Sequence, residues 1–243
     1  MKRSKNNIGR AVLAVSFLLG GAGLAAAQNK NFPFQPGETV HYAIKKFGVK
    51  AGEAALVFNG LEQRNGQSFY HITFTAKALN FLDEENIFMD PETLYPVRVE
   101  RNLNIFGKKE RILETYDHAK GEIRIVKFVR GKEIRQTLQK KGPVDNIYCF
   151  LYRFRQEAAV DQKKSFEMKL PTRDVKIEFV KQDELKVGGK TYQTLYLQSD
   201  PKEYKLWFDN GAKKVPLRID GAMGIASTSL VISNYTTPQV DSK

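Results

Sequence analysis

Three histidines, one cysteine and a short run of carboxylates are the residues with which this sequence could do acid–base, nucleophilic or metal chemistry. His41, His71 and His118 fall on separate expected strands, and none has a neighbour at the spacing that chelates zinc. Cys149 lies in a helical stretch with no local base beside it, so it reads as a small buried hydrophobe. The G-x-S-x-G turn that presents a serine nucleophile does not occur. Gly188-Gly189-Lys190-Thr191 superficially matches the end of a phosphate-binding loop, but the upstream glycine is missing and a strand, not a helix, follows. Asp83-Glu84-Glu85 adjoins Phe81-Leu82 and lacks the spacing that wraps oxygens around a cation, so it reads as an exposed loop. These residues point away from catalysis. No catalytic, metal-binding or cofactor-binding residue is assigned, and no cofactor is expected.

The segments between them alternate with the period of a half-buried strand. Val40, Tyr42 and Ile44 share one face, as do Ala54, Leu56 and Phe58, and then Tyr70, Ile72 and Phe74 after the hairpin turn signal Asn65-Gly66. Further runs follow over 94–105, 110–116, 123–129 and 133–139, then over 166–170, 175–180, 189–198, 203–209, 215–219 and 225–233. Five Lys-Lys pairs lie at or beside the turns, where lysine also protects strand edges. One stretch breaks the alternation: Ile147, Phe150, Leu151, Phe154 and Ala158 recur at helical spacing, so a helix is expected over 145–158 with Asp145 as its cap. The expected fold class is mainly β, a strongly curved antiparallel sheet or open β-barrel of successive hairpins, with one main helix packed on it or plugging it.

The first residues carry Lys2, Arg3, Lys5 and Arg10, an apolar run from Ala11 to Leu19, and small residues ending at Ala27. That order predicts a secretory signal peptide over 1–27, cleaved after Ala27, and a periplasmic protein. The apolar run is well short of the roughly 20 residues that a bilayer crossing needs, and no other run approaches that length. Residues 28–36, with Pro33 and Pro36, read as an extended leading arm, residues 37–235 as a single β domain, and residues 236–243 as a flexible tail. Losing the leader lowers the formal charge from +12 to +8. A basic balance in this compartment favours lipid head groups or acidic polymers and argues against nucleic acid. A lone cysteine leaves no internal disulfide, so a buried core must hold the fold.

Three blocks of sequence together resemble a known family. Pro33-Phe34-Gln35-Pro36-Gly37-Glu38, Tyr42 and the pair Gly48 and Gly52 form the first; Asp145 to Arg155 forms the second. Leu206-Trp207-Phe208-Asp209 through Val215-Pro216-Leu217-Arg218 to Gly224-Ile225 forms the third. In these blocks the chain resembles the secreted bacterial domain-of-unknown-function family 3108, with the departure that Arg153 directly follows Tyr152. The resemblance implies a curved antiparallel sheet around a helix, like the open barrels of periplasmic lipoprotein carriers. It implies no catalytic residue.

Two functions fit these features. The first is a non-catalytic binding or carrier module of the cell envelope, with a lipid or other apolar ligand on the concave sheet face. Tyr42, Phe150, Leu151, Phe154 and Trp207 are then the ligand-facing residues, unless the aromatics simply fill the core, which periodicity does not distinguish. The second is an envelope assembly or structural factor whose basic loops meet an anionic polymer or a protein. Candidate partners are a lipid, a lipoprotein or an anionic envelope polymer. A hydrolase is the least supported reading.

Overall fold

The computed structural model describes residues 32–160, 164–223 and 228–238. The leader, residues 28–31 of the arm, Lys163, Gly224-Ile225 and residues 239–243 lie outside these. Among the described residues are fourteen strands and one helix. The strands are β1 (Glu38–Lys46), β2 (Val49–Arg64), β3 (Gln67–Ala78), β4 (Phe81–Met89), β5 (Pro96–Ile105), β6 (Lys108–Asp117), β7 (Glu122–Val129) and β8 (Lys132–Gln139). After helix α1 (Ile147–Arg155) come β9 (Ser165–Lys169), β10 (Asp174–Val187), β11 (Lys190–Asp200), β12 (Lys205–Asp209), β13 (Pro216–Asp220) and β14 (Thr228–Thr236).

All fourteen form one antiparallel sheet in which strands adjacent in sequence pair with one another, except β8 with β9, and β1 also pairs with β14. β8 and β9 are therefore the two free edges, and the connection between them carries α1. The sheet is not closed by a strand ladder. Polar contacts tie the segment that follows β8 to β9 and β10 instead: Asp145 N donates to Lys169 O at 2.6 Å, Lys169 Nζ to Lys141 O at 2.9 Å, and Lys140 Nζ lies 2.5 Å from Asp174 Oδ1. β8 is exposed along nearly its whole length and alternates charges, which discourages pairing with another chain.

Period-two alternation puts Val40, Tyr42 and Ile44 of β1 inside, opposite Leu56 and Ala54 of β2, with Phe74 and Ile72 following on β3. The turn Asn65-Gly66 has φ of 51° and 78°, the left-handed pair that a tight hairpin requires. Gly52 has a different reason: a Cβ there would sit 2.2 Å from the Lys77 carbonyl oxygen, so only glycine lets β2 approach β3 so closely.

α1 is shorter than expected. Asn146, not Asp145, is its cap, accepting from Tyr148 N at 2.8 Å, because the Asp145 carboxylate is taken by the Arg153 guanidinium. The helix ends at Gln156, so Ala158 lies beyond it. Eight of its nine residues are buried, Arg155 among them, so the helix sits within the core. The first residues of the 236–243 tail still contact the sheet and the leading arm, and residues 239–243 lie outside the described residues. Thr236 pairs with Thr39, and Pro238 O accepts from Gln35 Nε2 at 3.0 Å. No described helix is long and apolar enough to cross a membrane.

Candidate functional site

α1 brings its aromatic side chains into the concavity and fills it. Phe154 lies 4.3 Å from Phe208, ring centre to ring centre, and 5.5 Å from Phe166, while Tyr148 stacks on Phe74 at 4.3 Å. Tyr42, Phe150, Leu151 and Phe154 are each at most 1% exposed, and the Tyr42 hydroxyl donates to Pro216 O at 2.9 Å. Trp207 does not join them. Leu206 and Phe208 take the inward positions of β12, so Trp207 faces the outer surface, stacked on Tyr196 at 4.6 Å beneath the Arg218 guanidinium. The five residues expected to face one ligand are thus split between two faces of the sheet, and four of them pack against protein.

Each end of α1 is held by buried charge. At the C-terminal end Arg155 forms an ion pair with Glu38, both side chains at most 1% exposed, and donates to Lys213 O at 2.9 Å and Pro33 O at 3.2 Å. The Tyr235 hydroxyl completes the cluster, donating to Glu38 at 2.7 Å. At the N-terminal end lie the acids read from sequence as an exposed loop. They belong to β4, and Asp83 and Glu85 point inward, where Arg101 from β5 donates to Asp83 at 2.7 Å and lies 3.3 Å from Glu85. The alternation was broken by two charged residues whose partner lies across the strand pair, and no local pattern shows such a partner.

Burial raises the Glu85 carboxyl from its ordinary 4.5 to about 7, against the lowering effect of Arg101 and with help from Asp83 and Glu114. Asp145 is pushed up to about 6, again by burial and against Arg153. A raised carboxyl stabilises the folded state fully below its unfolded pKa, and that contribution is lost as pH rises through the folded value. Urea unfolding should therefore show roughly 3 kcal/mol more stability at pH 5 than at pH 8, and Glu85→Gln should remove much of the slope. Stability that climbs steadily to pH 8 would contradict this.

The remaining chemistry-bearing residues stay apart. His71 on β3 is held 3.0 Å from both Glu62 and Asn86, and His118, beyond the end of β6, lies 2.7 Å from Pro96 O. Burial pushes the Cys149 thiol well up. Among the described residues no three His, Cys, Asp or Glu side chains gather as a metal site.

An open site lies elsewhere. A bulge between Phe179 and Lys181 reverses the faces of β10, so Leu185, Val187 and the facing Tyr192 of β11 turn to the outer side and pack partly on the core. The end of this hairpin comes back against β14 and leaves a groove of about 750 Å³. Its apolar wall is Val187, Tyr192, Val215, Leu217 and Val231, and Lys45, Lys190 and Lys213 line it too, with Asp209 the acid among them. That volume suits a small ligand, and the wall suits an apolar chain with an anionic end. Sequence reading missed it because the segment Lys181 to Lys190 is mostly polar and the bulge shifts its period.

The profile of a family described as Protein of unknown function (DUF3108) matches residues 39–231. No curated protein matches the chain. Among solved structures, a beta-barrel-like protein of domain of unknown function DUF1849 from Brucella abortus superposes with a TM-score of 0.51 at 9% identity, over 85% of this chain and 99% of that one. At that identity the likeness concerns the fold alone. A putative exported protein with a YmcC-like fold from Bacteroides fragilis covers 85% of this chain and 98% of its own at 9% identity, with a TM-score of 0.29 too low to carry an argument.

Proposed function

We propose, from the premise that this chain belongs to the DUF3108 family of proteins of unknown function, that it is a non-catalytic binding module of the bacterial envelope which holds a lipid-like ligand with an anionic end. The observation that carries the reading is the groove between the β10–β11 hairpin and β14, where an apolar wall and three lysines face one space. An acyl chain against Val187, Tyr192 and Leu217 would leave its head group beside Lys45, Lys190 and Lys213. Burial of the chain supplies most of the affinity, and the lysines select the charge. The concave face is the weaker candidate, since α1 already occupies it. The basic leader favours export to the periplasm, where such a ligand is available.

The test is a titration of the chain from Gln28 with a fluorescent fatty acid. Reversing all three lysines to glutamate should weaken binding about tenfold or more, and filling the groove with Ser233→Trp should abolish saturable binding. Ser233 is exposed, so the tryptophan does not disturb the core. Equal affinity in wild type and both variants would reject the groove.

A further inference from the structure

We propose that the end of the sheet carrying the β1–β2, β3–β4 and β5–β6 turns docks on an anionic lipid bilayer. An up-and-down order puts every second turn at the same end. The three tips are neighbours: Gly52 beside the first pairs with Ala78 beside the second, and Phe106 N of the third donates to Asn80 O of the second at 2.7 Å. At about 4.8 Å per strand they span about 20 Å.

The most exposed large apolar side chains of the described residues all lie here: Leu79 at 87%, Phe47 at 80%, Phe106 at 76% and Val49 at 71%. Two of them also sit in an unfavourable backbone conformation. Phe47 has φ 51° before Gly48 at 83°, and Phe106 has φ 50° before Gly107 at 81°. The same geometry at the opposite end is made by Asn65-Gly66, with the residue type that tolerates it. A phenylalanine in the left-handed region is sterically costly. Neither ring repays that cost through burial, so the contact they serve lies outside the chain.

Charge identifies that contact. Lys46, Lys77, Lys108 and Lys109 flank the tips, and the β7–β8 turn adds Arg130. The carboxylates nearby are committed, Glu53 to Lys50, Glu110 to Lys127 and Glu133 to Arg135. Apolar tips among lysines match the acyl and phosphate layers of a bilayer surface, with rings below the head groups and ammonium groups level with them.

Co-sedimentation of the chain from Gln28 with vesicles rich in phosphatidylglycerol tests this, with phosphatidylcholine vesicles as the neutral comparison. Wild type should bind the anionic vesicles, and raised salt should weaken the binding. The double variant Phe47→Asn and Phe106→Asn should lose about tenfold or more in vesicle affinity while its melting temperature stays level or rises. Unchanged vesicle binding by the variant would overturn the proposal, as would equal binding of wild type to neutral vesicles. Self-association of wild type without vesicles, lost in the variant, would also overturn it by showing that a second copy covers the tips.

Discussion

Replacing Arg155 with methionine is expected to destabilise the protein by about 3–5 kcal/mol, the loss typical of breaking a buried ion pair on one side. Arg155 and Glu38 are almost fully enclosed, so the variant leaves a carboxylate without its cation in a place that water does not reach. The guanidinium does more than neutralise it. It ties the end of α1 to the start of β1 through Glu38, to the leading arm through Pro33 O and to the β12–β13 turn through Lys213 O. It also lies 5.0 Å from the Phe34 ring. For a chain of this size the loss corresponds to a melting temperature about 10 °C lower. The double variant with Glu38→Gln should recover much of it, since the uncompensated charge is then gone. A single-variant loss under about 1 kcal/mol, or the same loss in the Glu38→Gln background, would mean that the pair does not anchor the helix.

Phe154→Ala should cost about 3–5 kcal/mol, the other large effect. The ring meets Phe208, Phe166 and Phe150 at centroid distances between 4.3 and 6.2 Å, with members from α1, β9 and β12. Truncation removes contacts on every side and leaves a void that these aromatic neighbours cannot close without leaving their rotamers. Urea unfolding reads the effect as a lower midpoint at an unchanged slope. A small loss would show that the space between helix and sheet is already open, and it would return the concave face as a ligand site.

The sheet and its helix were legible because both depend on local periodicity. Val40, Tyr42 and Ile44 alternate, Asn65-Gly66 marks a tight turn, and Ile147, Phe150, Leu151 and Phe154 share a helical stripe. What could not be read depends on partners distant in sequence. Asp83 and Glu85 look solvated until Arg101, on the next strand, is placed beside them. Trp207 looks like a member of the aromatic interior until the inward turn of Leu206 and Phe208 assigns it to the other face. The groove is the furthest from sequence of all. It needs a bulge at Val180, a long hairpin that returns on the sheet, and lysines from three separate segments.

The groove between the β10–β11 hairpin and β14 is proposed to take an apolar ligand with an anionic end. Native mass spectrometry tests it most directly, on the chain from Gln28 expressed in a bacterial periplasm and purified without detergent, with organic extraction of the same sample. The prediction is a one-to-one adduct on the wild-type chain, an extract containing the matching lipid, and a bare chain for Ser233→Trp. A ligand-free wild-type mass, or the same adduct on both proteins, would contradict the claim.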